Sequence, residues 1–382
     1  MGILQISLED VLSCNRLWEF PIENFLVLAR KDFPGLYILS PSARLIWDIL
    51  KTGAPFAELV REFASTYDIP TDLAALDVTR TLDHWRLGLL AHQRNWFSRA
   101  AARAGYSSNS DVFAGDYCVL GKSVRVILQT SELAEEIVPR LESLPHAPSA
   151  PDFTFRVIED ADAFHVFAGE CCVATEETAG ATRAVLFQEI VRCCRGRDCL
   201  AVLHAGACGF NSRCVVFPGG TQSGKTTLAA VLMKTGLTFY SDDSVLLERD
   251  TLSVPAMPFA LMVREGSWDL LYPRFPHLRD APIVTRFGER VRFLPPAGTE
   301  GDDSCGYAAV IVFVRFRPGA SNEINILDPL QTLLRLQQSG FWVAHDEESI
   351  RAFLIWIQST ISYEMTYSDV DQAARMTRRV LC

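Results

Sequence analysis

The chain has 382 residues, of which 49% are hydrophobic, and a net charge of −10, so it can bury the cores of two or three domains. The acidic balance argues against nucleic acid or an anionic membrane surface as the main partner, and apolar runs fall short of the roughly 18 residues that span a bilayer. The N-terminus lacks a charged segment followed by a cleavage site, and no cysteines form a Cys-x-x-Cys motif, so we expect a cytoplasmic protein with reduced thiols.

Residues 1–95 have the pattern of a small helical domain that contains a β-hairpin. Strand-like sequences occupy 24–30 and 36–39. The pair Ser40-Pro41 is typical of a helix start. The apolar spacing beyond this pair predicts two more helices in the same segment.

This segment resembles the PqqD-like peptide-recognition domain, a small winged-helix α+β fold. The matching sequences are Leu39-Ser40-Pro41-Ser42-Ala43, Ile46-Trp47, Phe56-Ala57-Glu58-Leu59, Asp77-Val78 and Leu87-Gly88-Leu89-Leu90. The resemblance implies that residues 1–95 hold the leader of a ribosomally made precursor peptide as an added β-strand. The alternative is a winged-helix DNA-binding domain, but acidic residues outnumber basic ones here, so the electrostatic footprint for DNA is missing.

Residues 96–115 are rich in small and polar residues and are predicted to be a linker. The sequence then changes to an α/β pattern, which we expect to form a second domain at 116–382. Two hairpins are predicted early in this domain. A helix predicted at 181–194 precedes a strand that ends at His204.

A phosphate-binding motif follows the predicted strand Cys214-Val215-Val216-Phe217. The segment 219–227 fits the pattern G-x-x-x-x-G-K-[ST] at every fixed position, and helix-forming residues follow it up to Gly236. Strand, glycine loop and helix in this order are the structural context that the motif requires. The predicted nucleotide-binding residues are Gly219, Gly220, Thr221, Gln222, Ser223, Gly224, Lys225, Thr226 and Thr227.

Each fixed residue of this motif has a distinct physical role. Gly219 and Gly224 let the backbone turn tightly and approach phosphate oxygens without a Cβ atom in the way. Backbone N–H groups and the positive end of the following helix face the anion. Lys225 is expected to reach the β- and γ-phosphates of ATP, and the Thr226 hydroxyl is expected to bind Mg²⁺.

A predicted strand at 237–241 ends in two adjacent carboxylates, Asp242 and Asp243. Ligands of α/β proteins bind at the carboxyl ends of strands. There, one carboxylate can hold Mg²⁺ and a second can accept the proton of an attacking hydroxyl. The alternative is a solvated turn after a strand. His204 is a further candidate, although a histidine beside apolar residues is more often a packed core residue.

Together, His204, the glycine loop and the pair Asp242-Asp243 resemble the catalytic core of the HPr serine kinase family, which has these elements in the same order at similar spacing. The resemblance is closest over residues 198–270. It implies an α/β P-loop kinase core that binds ATP and tends to form homo-oligomers. It also implies that Asp243 is the general base, Asp242 the metal-side carboxylate and His204 a supporting residue.

The sequence departs from that family in its downstream Glu-Arg signature, which is linked to the reverse dephosphorylation reaction. This signature has no clear counterpart, and the segment 263–267 occupies its region. The resemblance therefore does not imply phosphorylase activity or HPr as the substrate. Arg317 follows a predicted strand and is either near phosphate or part of a solvated strand end.

The sequence thus predicts an ATP- and Mg²⁺-dependent kinase of a serine-like hydroxyl on a precursor peptide captured by residues 1–95. Lys225, Mg²⁺ and the loop N–H groups would neutralise charge while Asp243 takes the proton. Two alternatives remain open. One is a nucleotide-binding regulatory adaptor in peptide modification, and the other is a kinase of a small molecule or glycan.

Overall fold

A computed structural model describes residues 16–32, 35–87, 89–90, 112–160, 163–220, 222–257, 259–286, 289–296 and 305–381. Thr221 of the predicted nucleotide loop and residues 96–111 of the predicted linker lie outside them. The chain divides into two compact units, Met1–Trp96 with His345–Arg351 and Phe97–Ala344 with Ala352–Cys382. No helix in the described part of the chain is long and apolar enough to cross a membrane.

The N-terminal unit is a three-stranded antiparallel sheet followed by three helices. Its elements are β1 (Leu17–Ile22), β2 (Phe25–Arg30), β3 (Leu36–Leu39), α1 (Pro41–Leu50), α2 (Phe56–Tyr67) and α3 (Thr71–Leu87). The predicted hairpin is confirmed as β2–β3. The predicted helix start is also confirmed, because the Ser40 hydroxyl accepts a hydrogen bond from the Ala43 N–H at 3.2 Å. The sequence does not predict β1, since Pro21 interrupts its pattern, but proline is tolerated on an edge strand.

Two tryptophans form the centre of this unit. Trp47 of α1 and Trp85 of α3 pack edge to face, with ring centroids 5.9 Å apart. Trp47 is completely buried, and its indole N–H donates to the Glu19 carboxylate at 3.2 Å. Because that polar group is satisfied, the ring can lie in the core without a desolvation penalty. The unit is therefore a small α+β domain with its own core.

The larger unit is a mixed α/β fold with several sheets. Its strands are β4 (Phe113–Val119), β5 (Lys122–Leu128), β6 (Phe153–Glu159), β7 (Phe164–Ala168), β8 (Cys171–Glu176), β9 (Cys199–Leu203), β10 (Ala205–Phe210), β11 (Arg213–Pro218), β12 (Thr238–Ser241), β13 (Val245–Glu248), β14 (Ser253–Pro255), β15 (Leu261–Arg264), β16 (Val284–Arg286), β17 (Glu289–Leu294), β18 (Cys305–Phe316), β19 (Glu323–Leu327), β20 (Phe341–Val343) and β21 (Ile361–Tyr367). The remaining helices of the chain are α4 (Ser131–Leu141), α5 (Ala179–Arg195), α6 (Lys225–Lys234), α7 (Trp268–Leu271), α8 (Pro329–Ser339), α9 (Glu347–Ser359) and α10 (Val370–Leu381).

A seven-stranded mixed sheet carries the glycine loop. Its strand order is β12-β10-β11-β18-β21-β19, with β14 paired to β18. Strands β11, β18 and β21 are parallel, whereas β10 runs antiparallel to both β11 and β12. Consequently β11, β12, β18 and β21 all end at the same edge of the sheet, where β10 begins. Buried side chains of α6 and α10 form one core with those of this sheet.

A five-stranded sheet, β4-β5-β6-β7-β8, forms a second core with α4 and α5. The two predicted hairpins are confirmed as β4–β5 and β6–β7. Strand β4 begins at Phe113, inside the segment 96–115 predicted as a linker, because the small residues Ala114 and Gly115 weaken its strand pattern. The sequence does not predict α4, which connects β5 to the parallel strand β6.

Every cysteine among the described residues is a free thiol. Cys194, Cys199, Cys208 and Cys214 are buried. Burial raises the pKa of Cys194 and of Cys199 to about 12. These thiols are therefore protonated at neutral pH and act as small apolar packing residues.

Candidate active site

The predicted site residues that the structure describes meet at the edge where β11, β12, β18 and β21 end. Strand β11 leads into the loop at Gly219, and β12 leads into Asp242. His204 lies immediately before β10, which starts at this edge, and Phe316 and Tyr367 are the last residues of β18 and β21. Strand direction therefore brings together residues that are distant in sequence.

A cavity of about 650 Å³ lies at this edge, within the usual range for small-molecule sites. Its polar wall contains the loop residues 222–227, both aspartates and His204. Its apolar lining includes Met262, Leu270, Phe316 and Val370. A mixed lining of this kind is compatible with a nucleotide, which has anionic phosphates and a planar base with apolar faces.

Gly224, the last residue before α6, occupies a position that only glycine fits. Its φ of +97° lies in the left-handed region, and a Cβ atom there would meet the Tyr367 hydroxyl. That hydroxyl donates to the Gly224 carbonyl oxygen at 3.0 Å. Strand β21 thus fixes the turn from the loop into the first turn of α6, which is where phosphate binds in this motif.

Lys225 begins α6 and folds back over the loop. Its ammonium group donates to the carbonyl oxygens of Gly219 and, at 2.9 Å, of Gly220, and the residue is 8% exposed. Burial lowers the pKa of Lys225, and the negative charges of Asp242 and Asp243 oppose this shift. Since an ammonium group is a compact charge with three donors, phosphate oxygens can replace the carbonyl oxygens as its partners.

Thr226 and Asp242 form the part of the site that fits Mg²⁺. The Thr226 hydroxyl donates to Asp242 Oδ2 at 3.2 Å, whereas Asp242 Oδ1 is buried without a hydrogen-bond partner in the described part of the chain. A buried carboxylate oxygen is costly unless a cation or donor meets it. The described residues contain no group of three or more His, Cys, Asp or Glu that could hold a metal. The protein would therefore supply Thr226 and Asp242 and the substrate phosphates would supply further ligands, as is usual for Mg²⁺.

The two aspartates differ in their electrostatic surroundings. Burial raises the pKa of Asp242 above its usual range, although the positive charge of Arg140 opposes the shift. Burial also acts on Asp243, but the cations Arg183 and Arg140 outweigh it and hold the pKa of Asp243 well below its usual range. Asp243 is therefore fully ionised at neutral pH.

Two arginines that the sequence analysis does not single out contact these aspartates. Arg183 Nη1 of α5 lies 2.8 Å from Asp243 Oδ2, and Arg140 Nη1 of α4 lies 3.2 Å from the same oxygen. Arg140 Nη2 also lies 3.6 Å from Asp242 Oδ2. Helices of the five-stranded sheet thus contribute directly to a site whose loop belongs to the seven-stranded sheet.

A weak sequence signal for these arginines exists in the helical pattern. The buried side of α4 carries two charged residues, Glu136 and Arg140, within a stripe that is otherwise apolar. Arg183 precedes the buried Phe187 by about one turn of α5. A cation on an apolar face must meet an anion when it is buried, but the pattern does not identify the anion.

His204 lies beside Asp243 and is not enclosed in the apolar core. Its Nδ1 atom is 3.5 Å from Asp243 Oδ1, and its backbone N–H donates to the Gly340 carbonyl oxygen at 3.0 Å. Burial lowers the pKa of His204; the charge of Asp243 opposes this shift, and the nearby cations reinforce it. The imidazole is therefore neutral at pH 7.

Glu289 connects the glycine loop to the small sheet β15-β17-β16, and the sequence analysis does not identify it. Gln222 Nε2 of the loop donates to Glu289 Oε1 at 2.8 Å, and Arg264 Nη1 lies 2.5 Å from Glu289 Oε2. The segment 263–267 lines the cavity. Arg317, by contrast, is exposed and is not among the residues that line it, as expected of a solvated strand end.

Comparison with known proteins identifies part of the N-terminal unit. Residues 27–87 match the family described as coenzyme PQQ synthesis protein D (PqqD), which confirms the predicted PqqD-like domain. The matched segment begins in β2 and ends at the last residue of α3. The glycine loop and the aspartates lie outside it.

Among solved structures, the chain is similar to the HPr(Ser) kinase/phosphatase from Coxiella burnetii. The similarity covers 47% of this chain and 95% of that one, at 9% identity and a TM-score of 0.25. No curated protein matches the sequence. A TM-score this low transfers no activity, so the function must be inferred from the residues of the site.

Proposed function

We propose that this protein is an ATP-dependent kinase that transfers the terminal phosphoryl group to a serine-like hydroxyl of a precursor peptide. One observation carries the proposal: the glycine loop, the pair Thr226–Asp242 and the pair Asp243–His204 meet at one cavity. This set contains the anion-binding loop, the metal-binding pair and the proton acceptor that phosphoryl transfer needs.

Lys225 and the loop N–H groups hold the triphosphate. Lys225 exchanges its carbonyl partners, Gly219 and Gly220, for phosphate oxygens and neutralises the charge that develops during transfer. Thr226 and Asp242 would hold Mg²⁺, which would supply further neutralisation of phosphate charge. Binding of the nucleotide thus satisfies the lysine and the loop together.

Asp243 orients the acceptor hydroxyl and takes its proton. A carboxylate whose pKa lies well below the usual range is a weak base. Transfer through a loose transition state requires little deprotonation before the leaving group departs, so a weak base in the right position is adequate. Neutral His204, 3.5 Å from Asp243, helps to hold the carboxylate in place.

The N-terminal unit provides the peptide-binding element of this proposal. Its PqqD match and its small open sheet support capture of an extended leader as an additional strand, because β1 and β3 are edge strands. A serine attached to a captured leader would react at a raised effective concentration. The acceptor is therefore proposed to be on the captured peptide.

The test is incubation of the full-length protein with Mg·ATP and precursor peptides encoded by neighbouring genes. Mass spectrometry should detect a phosphopeptide, and both Lys225→Ala and Asp243→Asn should abolish it. Lys234→Ala, which changes an exposed lysine in the last turn of the same helix, should not. Formation of the phosphopeptide in equal yield by all these variants would sink the proposal.

A nucleotide-binding regulatory adaptor is the second candidate, and one observation favours it. Asp243 is paired with both Arg140 and Arg183. Such a double ion pair can hold a carboxylate in place for a purely structural purpose, without any role as a base. In that case Mg·ATP would change the affinity for a labelled leader peptide without phosphorylating any acceptor. Fluorescence anisotropy with and without nucleotide, combined with mass spectrometry, distinguishes the two functions.

A further inference from the structure

We infer that Arg183 is a catalytic residue whose guanidinium contacts the terminal phosphoryl group of the bound triphosphate, while Arg140 is the positioning residue that holds the aspartates. The inference deepens the proposed function and rests on it. Its basis is that both arginines, carried by helices of a different sheet, line the same cavity as Lys225 and Thr226.

Arg140 is suited to a positioning role because it is enclosed and lies between the aspartates. The residue is 1% exposed. Its guanidinium lies within 3.6 Å of Asp242 and 3.2 Å of Asp243, and its central carbon is 5.8 Å from the centre of the Phe187 ring. Ion pairs on one side and an aromatic ring nearby fix its plane.

Arg183 is anchored but not enclosed. Its side chain is 11% exposed. Its Nη1 donates to Asp243 Oδ2 at 2.8 Å, and its Nε lies 3.0 Å from Glu136 Oε1. The hydrogen bond uses Nη1, and the Nε contact is an ion pair without hydrogen-bond geometry. Within the described residues the Nη2 donors of the planar fork are therefore left for a third anion.

Holding Asp243 in place does not by itself require a second arginine. Arg140 already pairs with both aspartates, whereas Arg183 pairs with Asp243 and Glu136 through one edge of its guanidinium and lines the cavity as well. A phosphoryl group in transfer carries its charge on three equatorial oxygens, and an arginine from a separate element is a recurrent way to neutralise that charge. Arg183 can neutralise this charge, because it lines the same cavity as the glycine loop.

The experiment compares the affinities of the full-length protein for Mg·ADP and for a non-hydrolysable Mg·ATP analogue by isothermal titration calorimetry. The comparison isolates the contribution of the terminal phosphate without turnover. We expect Arg183→Ala to weaken binding of the analogue about tenfold or more and to leave ADP binding unchanged. The matched control is Arg192→Ala, which removes an arginine of the same helix that pairs with Glu189 and should change neither affinity.

Turnover gives a second readout. Arg183→Ala should lower kcat about 10²-fold. Millimolar guanidinium should restore part of kcat while the thermal midpoint of the variant stays constant, because the free ion can replace the missing group at the phosphoryl position. An arginine that only stabilised the fold would not show this rescue.

Equal weakening of both nucleotides, or no change in either, would overturn the inference and leave the proposed function intact. Should Arg183→Ala not fold, Arg183→Gln, which keeps a shorter, uncharged polar side chain, is tested by the same comparison of the two nucleotide affinities. Absence of nucleotide binding by the unmodified protein would instead refute the proposed function and, with it, this role of Arg183.

Discussion

The two sides of the cavity are built in opposite ways. One side consists of loop residues 222–227, which lie close together in sequence and belong to a single strand–loop–helix unit. The other side consists of two separate arginines, Arg140 and Arg183, on helices of another sheet. A local motif thus forms the side that is predicted to bind phosphate, whereas long-range packing determines which charges surround Asp242 and Asp243.

The two sides also differ in the partners that hold their cations. On the loop side, Lys225 is held by neutral carbonyl oxygens, which a phosphate can displace at little electrostatic cost. On the arginine side, Arg140 and Arg183 are held by the charged Asp243. We therefore expect the loop side to control the affinity for every nucleotide, and the arginine side to control the stability of the site, the additional affinity that the terminal phosphate contributes, and the rate.

The largest expected effect is on the arginine side. Arg140→Met leaves Asp242 and Asp243 buried without their shared cation, and we expect the free energy of unfolding to fall by about 3–5 kcal/mol. Urea denaturation measures this loss. The control is Arg125→Met, which removes a more exposed arginine that pairs with Asp116 within the five-stranded sheet. This variant should leave the midpoint of urea denaturation unchanged. If both variants lose the same free energy of unfolding, the contacts of Arg140 with the two aspartates contribute no more to stability than a surface ion pair does.

The next effect is on the geometry of the loop. Gly224→Ala forces a side chain into the left-handed region and towards the Tyr367 hydroxyl, and we expect it to cost about 1–3 kcal/mol of unfolding free energy. Gly236→Ala is the matched control, because Gly236 has a φ of +90° but nothing near its Cβ position. Thermal denaturation should show a smaller loss for Gly236→Ala. Adding Tyr367→Phe to Gly224→Ala should recover part of the loss, and a failure to do so would exclude the contact as its cause.

A smaller effect is expected at the metal-binding pair. Thr226→Val keeps the shape of the side chain but removes the hydroxyl that contacts Asp242, so Mg²⁺-dependent nucleotide affinity should fall about tenfold. Calorimetry at several Mg²⁺ concentrations measures it. Thr235→Val, which removes a hydroxyl bonded to the Leu232 carbonyl at the end of the same helix, should have no effect. An unchanged Mg²⁺ dependence in Thr226→Val would exclude Thr226 as a ligand.

The smallest expected effect is on the pH dependence of stability, which tests whether the arginines lower the pKa of Asp243. Because the folded-state pKa of Asp243 lies below its unfolded value, its contribution to stability is complete above the unfolded pKa of about 3.9 and is lost as pH falls towards the folded pKa. Asp243→Asn should therefore flatten the fall in denaturation midpoint below about pH 4. Asp269→Asn, at an exposed position, should leave the slope unchanged. Parallel slopes for Asp243→Asn and the unmodified protein would mean that the arginines do not lower this pKa.

Local features of this protein could be inferred from residue order. The glycine loop, the carboxylates that follow β12 and the strand–helix pattern around them depend on neighbours in sequence. The predicted hairpins and the PqqD-like segment are likewise short-range patterns, and both are confirmed. Backbone geometry and periodicity act over a few residues, so the sequence carries them directly.

The surroundings of Asp243 were decided only by tertiary structure. Nothing near Arg140 or Arg183 in the sequence indicates that their partner lies at the end of β12, and nothing near Glu289 points to Gln222. Ion pairs between distant residues depend on strand order, strand direction and the packing of α4 and α5 on their sheet. For that reason the sequence predicted the phosphate-binding motif and the candidate base, and the folded chain decided which charges surround Asp243.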